Sequence, residues 1–341
     1  MLNNNIKAGI FGVSGKELTK EEDVFFKELN PLGFILFARN IENKEQVKKL
    51  VADLRQTVGR NDAPVLIDQE GGRVQRLRSP IWREAPAAQI FGELLIKKDT
   101  ATAIKAVKLN TMLIALELQE LGINVDCLPV LDVPVENAHD VIGNRAFSKD
   151  PQVNTVLGKA VIEALLENGV FPIMKHIPGH GRAAVDSHEN LPLVDTDIET
   201  LEKTDFIPFK ELNSTPWAMT AHIVFSKLDA NNPVTTSSYI IKNIIREYIG
   251  FDGFLLSDDL SMKALGGSYE DRTIKSLNAG CDAVLHCNGK MEEMKAVASV
   301  LPKLTPKSLE RLDKSAQIMA DLRKTTLSKD EALSQLNALI A

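Results

Sequence analysis

A TIM-type (β/α)8 barrel is the fold this chain predicts, and three observations carry the reading. Short, β-rich apolar runs recur eight times between longer helical patterns, at residues 8–13, 33–37, 64–67, 123–130, 171–175, 218–224, 253–256 and 283–286. Polar clusters follow almost every run, where the loops of a parallel barrel converge above its filled core. No internal repeat, low-complexity tract or Gly/Ser/Pro-rich linker divides the 341 residues. One catalytic domain over 1–341, with a C-terminal helical segment from about 305, is therefore expected.

The intervening segments carry helix signals. Residues 239–249 place Ile240, Ile241, Ile244, Ile245 and Tyr248 on one stripe that Gly250 stops, with Ser237 or Ser238 able to cap its start. Thr196 with Glu199 has the spacing of a capping box. Thr305-Pro306 supplies a cap and a first-turn proline for the C-terminal helical region.

Composition narrows the partners. Hydrophobic residues make up 44% and charged residues 25%, ordinary for a folded globular chain. Forty basic against 46 acidic residues give a formal charge of -6, which argues against nucleic acid and against an anionic membrane. A small, neutral or mixed substrate fits better, and no obligatory protein partner is implied. Cys127, Cys281 and Cys287 sit in apolar contexts and read as reduced, buried thiols. The first residues lack a basic stretch ahead of an apolar one, and no run approaches the ~18 apolar residues of a bilayer span, so a cytoplasmic location is expected.

Three segments hold the chemistry. The densest is Lys175-His-Ile-Pro-Gly-His-Gly-Arg-Ala-Ala-Val-Asp-Ser-His-Glu-Asn-Leu-Pro192, a strand end followed by a loop too long for an ordinary βα connection. Within it Asp186 and His188 project to one side of an extended chain, so the carboxylate can hold an imidazole that titrates near neutrality. That pair is an acid/base dyad, a loop-stabilising hydrogen bond or part of a metal site. His176 and His180 have a zinc spacing for a helix, but Pro178 and Gly179 between them oppose a helix there. No metal is expected.

The second segment, Gly253-Phe-Leu-Leu-Ser-Asp-Asp-Leu-Ser261, is an apolar strand ending in two carboxylates. Adjacent side chains on a strand alternate sides, so only one of Asp258 and Asp259 addresses a given substrate atom, and spacing does not say which. The third, Asp68-Gln-Glu-Gly-Gly-Arg-Val-Gln-Arg76, joins paired glycines to charged groups suited to vicinal hydroxyls, and Arg145 is a further clamp candidate.

Together these segments resemble the family 3 glycoside hydrolases, in particular their single-domain β-N-acetylglucosaminidases of peptidoglycan recycling. The resemblance rests on Ile67-Asp-Gln-Glu-Gly-Gly-Arg-Val-Gln-Arg76, Lys175-His-Ile-Pro-Gly-His-Gly with Asp186-Ser-His188, and Ser257-Asp-Asp-Leu-Ser-Met262, in the family's order. It implies that Asp258 is the nucleophile of a covalent glycosyl-enzyme. It further implies that His188, paired with Asp186, moves the proton, and that Asp68, Arg76, Arg145, Lys175 and His176 bind N-acetylglucosamine. The implied substrate is N-acetylglucosaminyl-1,6-anhydro-N-acetylmuramic acid, with or without peptide, and no cofactor is implied. Histidine would then replace one of the two carboxyls usual in retaining hydrolysis, on a loop expected to close over bound sugar. Ile177, where the family more usually has an aromatic residue, and the Arg182-Ala-Ala-Val185 stretch depart from the pattern.

Overall fold

The computed structural model describes residues 5–136, 138–183, 185, 187, 191–320 and 327–341. In chain order the strands are β1 (Lys7–Gly12), β2 (Pro31–Leu36), β3 (Val65–Ile67), β4 (Val125–Asp126), β5 (Phe171–Ile177), β6 (Leu193–Val194), β7 (Trp217–Thr220), β8 (Val224–Phe225), β9 (Phe254–Asp259) and β10 (Ala283–His286). All except β6 and β8 close a barrel in the order β1-β10-β9-β7-β5-β4-β3-β2. Every neighbouring pair runs parallel. All eight expected strand positions are occupied by barrel strands.

Alternation along the strands divides the core into an inner and an outer layer, as closure of a barrel requires. Ile10, Ile35, Leu66, Ile173, Met219, Leu256 and Leu285 pack together in one cluster. Their strand neighbours Phe11, Phe34, Leu36, Val65 and Ile67 pack instead with helix residues such as Val47, Leu50 and Leu54. Both faces are thus buried, which is why the runs read as nearly continuous apolar stretches.

The structure corrects several boundaries. Of the expected run 123–130 only Val125–Asp126 is regular strand, because Pro129 has no N–H to give the ladder. Pairing resumes beyond it: the Lys175 N–H donates to the Pro129 carbonyl at 3.0 Å and the Leu131 N–H to the Lys175 carbonyl at 2.8 Å. The run 218–224 divides into β7 and β8, and β8 pairs with β6 through Leu193↔Val224 and Val194↔Phe225. The long loop after β5 is therefore sewn back to the chain at its exit.

Asp197, not Thr196, caps the next helix, accepting from the Thr200 N–H at 2.9 Å, so the i to i+3 partner is Thr200 and not Glu199. Ser237 caps the isoleucine-striped segment at the Ile240 N–H, 3.1 Å. Residues Ile240–Tyr248 form a π-type helix, with Ile240, Ile241, Ile244 and Ile245 buried. Thr305 caps Pro306–Ala320 as expected, accepting from the Ser308 N–H at 3.1 Å.

One carboxylate fastens the lower end of the barrel. Asp282 Oδ2 accepts from the Leu255 N–H at 2.9 Å and from Arg246 at 3.1 Å, while Oδ1 accepts from Ser308 Oγ at 2.7 Å and Arg311 at 2.9 Å. It ties β9 to the π-type helix and to the helix Pro306–Ala320. The three cysteines are buried thiols. Among the described residues no helix is long and apolar enough to cross a membrane.

Candidate active site

At the carboxyl end of the strands lies a cavity of about 260 Å³, floored by Ile35, Met219 and Leu285 from the inner barrel layer. Its walls bring together Asp68, Arg76, Arg145, Lys175, His176 and Asp258, residues from distant parts of the chain that sequence reasoning had placed in one site.

The segment after β3 begins the wall. Gly71 has φ +93°, and a Cβ there would lie 2.3 Å from the Pro86 carbonyl oxygen, so only glycine turns the chain at this point. The turn, closed by the Glu70 N–H on the Val74 carbonyl at 2.9 Å, carries Arg76 back beside Asp68. Asp68 then meets Arg76 at 3.0 Å and Lys175 at 2.9 Å. The glycine pair lies against Ala85, Pro86 and Ala87.

Glu70, which sequence reasoning passed over, is the second hub. It accepts from Nε and Nη2 of Arg145, each at 2.8 Å, a fork-on-fork pair, and from Lys175 at 2.6 Å. The Arg145 and Glu70 side chains are 10% and 3% exposed, so this is no surface ion pair. Burial alone would push both carboxyls up. For Asp68 the charges of Lys175 and Arg76 outweigh burial and hold the carboxyl well below its usual range. For Glu70, Arg145 and Lys175 bring it down to about 2. Burial likewise disfavours the Lys175 ammonium, but Asp68 and Glu70 hold its pKa well above the ordinary lysine value. Beneath them Asp126, fully buried, is pushed up to about 7 by burial, opposed by the Gln69 N–H and Lys175 and reinforced by Asp68 and Glu70.

The two carboxylates ending β9 have different surroundings. Asp259 Oδ1 accepts from the Ser261 N–H at 2.9 Å and the Cys287 N–H at 3.0 Å, and Oδ2 from Ser261 Oγ. Its carbonyl receives His222 Nε2 at 3.0 Å. Asp259 is thus a brace between β9, β10 and the following turn. Asp258, whose Oδ1 accepts from the Asp259 N–H at 2.8 Å, lines the cavity from the penultimate position of β9.

On β5, His176 extends past Lys175, and its Nδ1 lies 2.7 Å from Asp132 Oδ2. His180, in the turn beyond, is buried and stands with its ring 5.5 Å from that of His176. Burial, then the neighbouring His176, pushes His180 down to about 4, so it is neutral at physiological pH. Its Nε2 meets Ser187 Oγ at 3.1 Å. Asp186 and His188 lie outside the described residues. Other strand-end residues are structural: Asn40 donates to the Val13 and Gly15 carbonyls at 3.0 and 2.7 Å, and His222 Nδ1 meets Thr235 Oγ1 at 2.7 Å.

A parallel barrel with ion-paired and cavity-lining carboxylates at the carboxyl end of its strands is compatible with a glycoside hydrolase, and comparison with known proteins agrees. The model of the glycosyl hydrolase family 3 N terminal domain matches residues 10–322, and the chain belongs to that family. A β-hexosaminidase of Haemophilus influenzae is 34% identical over 332 residues, covering 95% of this chain and 91% of the relative. Native NagZ of Neisseria gonorrhoeae superposes with a TM-score of 0.85 at 30% identity, covering 99% of this chain and all of that one (100%). The same protein in complex with N-trifluoroacetyl-D-glucosamine gives 0.84 at 30% identity, covering 99% and 98%.

Proposed function

We propose that this glycoside hydrolase is a retaining β-N-acetylglucosaminidase that acts as one catalytic domain. The observation that carries the reading is the pair of carboxylates ending β9: both line a cavity walled by Asp68, Arg76, Arg145, Lys175 and His176, and Asp259 braces the Ser261 and Cys287 N–H groups and the Ser261 hydroxyl, a scaffolding role that leaves the chemistry to Asp258. Asp258 attacks the anomeric carbon, forming a C–O ester bond as the glycosidic C–O bond breaks. His188, oriented by Asp186, protonates the departing oxygen and then removes a proton from the water that hydrolyses the ester. The charged wall supplies donors from Arg76, Arg145 and Lys175 and acceptors from Asp68, which suits the hydroxyl and amide groups of N-acetylglucosamine. The β-hexosaminidase relatives and the sugar-bound neighbour support this substrate class.

The finer assignment is N-acetylglucosaminyl-1,6-anhydro-N-acetylmuramic acid from wall turnover, with or without peptide, cleaved in the cytoplasm. Trapping with a fluorinated N-acetylglucosaminide followed by peptide mass analysis tests the mechanism. The sugar is expected as an ester on Asp258. An ester elsewhere, or product of inverted anomeric configuration, overturns it. Turnover of nitrophenyl glucosaminide should exceed that of the matching glucoside, and the opposite order would defeat the substrate assignment.

A further inference from the structure

We propose that Asp132 is a positioning residue that fixes the tautomer of His176, so that the imidazole presents Nε2 to the sugar as a hydrogen-bond acceptor. The inference deepens the binding role given to His176 above and rests on that reading.

Asp132 is fully buried, and its two oxygens are engaged by β5 and the turn that follows it. Oδ2 lies 2.7 Å from His176 Nδ1. Oδ1 accepts from the backbone N–H of His176 at 3.2 Å and of His180 at 2.7 Å. The Asp132 carbonyl accepts from Asn154 Nδ2 at 3.0 Å, which fastens the residue from behind. Two backbone N–H groups on Oδ1 favour the ionised carboxylate over the neutral acid. An ionised carboxylate only accepts, so the proton between the two groups belongs to Nδ1. In the neutral ring the other nitrogen then carries a lone pair.

That lone pair answers a need of the cavity. Arg76, Arg145 and Lys175 can only donate, and Asp68 already accepts from two of them. A sugar offers hydroxyl and amide protons as well as oxygens, and His176 Nε2 gives one such proton an acceptor in the cavity that Asp258 also lines.

The test is histidine nitrogen NMR on the full chain at pH 7.5, with His176 assigned by comparison with His176→Gln. The wild type is expected to carry the His176 proton on Nδ1, and a proton on Nε2 overturns the proposal. In Asp132→Asn the amide keeps an oxygen for the backbone N–H groups but turns an N–H toward Nδ1, so the proton should move to Nε2. kcat/KM for nitrophenyl N-acetylglucosaminide should fall about 10- to 100-fold, chiefly through KM, with Tm within a few degrees of wild type. An unchanged tautomer, or kcat/KM within about twofold of wild type, overturns it. The wild-type spectrum decides the tautomer even if the variant does not fold. Because it is read without turnover, its failure is distinct from failure of the Asp258 trapping experiment.

Discussion

The Lys175 ammonium lies 2.6 Å from Glu70, with both side chains 3% exposed, and Glu70 in turn holds Arg145. One carboxylate is therefore shared by two buried cations, one on β5 and one in the short helical turn Gly143–Arg145. Replacing Glu70 by alanine leaves Arg145 without its bidentate partner, and breaking a buried pair this way costs about 3–5 kcal/mol. Denaturant unfolding should show that loss, and steady-state kinetics should show KM rising more than kcat falls.

Asp258→Ala and Asp259→Ala should separate chemistry from scaffolding. The first is expected to lower kcat by roughly 10⁴-fold with little change in melting temperature. The second removes the acceptor for the Ser261 and Cys287 N–H groups, at about 1–3 kcal/mol for each group left unpaired, with only partial loss of activity. Paired melting curves and kinetics check both.

Stability should fall in acid in two stages. His180 is down at about 4 when folded against an ordinary value near 6.5. The unfolded chain therefore binds the extra proton between those values, and the contribution is complete above pH 6.5 and lost as pH falls through 4. Glu70, at about 2 when folded, contributes fully above its unfolded value near 4.3 and loses that contribution as pH falls through 2. His180→Gln should flatten the upper stage of a pH-dependent melting profile and leave the lower one.

Asp126 has the opposite sign. Its folded value, raised by burial to about 7, lies above its unfolded value near 3.9. Its contribution is present below pH 4 and is lost as pH rises through 7. Asp126→Asn keeps an oxygen for the Gln69 N–H, so melting temperature relative to wild type should be higher at pH 8 than at pH 4. Equal differences at the two pH values would refute this.

Gly181 is required by contact. A Cβ there would lie 2.1 Å from the Val133 carbonyl oxygen and 2.3 Å from its carbon, where backbone must yield. Gly181→Ala should cost about 1–3 kcal/mol in thermal or denaturant unfolding and reduce kcat/KM, because the displaced segment adjoins Asp132.

The barrel was legible because its strands are buried on both faces and interrupted by polar ends. Residues 123–130 and 218–224 read as longer strands than they form, since apolarity persists where Pro129 stops the ladder and where the chain turns at Ala221–Ile223 to seat His222. Asp68, Arg76, Arg145, Lys175, His176 and Asp258 converge on one cavity as expected. Glu70 stood in the Asp68–Arg76 segment without distinction and Asp132 was not singled out, because a carboxylate that holds another side chain has the same local sequence as one that meets solvent. Only three-dimensional proximity to Arg145 and His176 separates them. Spacing could not choose between Asp258 and Asp259, whereas the N–H groups of Ser261 and Cys287 distinguish their surroundings.

Asp282 governs the height at which Asp258 stands. Holding the Leu255 amide, Arg246, Arg311 and Ser308 at the foot of β9, it stops that strand from sliding along its own axis. The tip of the strand is thereby a fixed anvil, to which a bound sugar must accommodate itself.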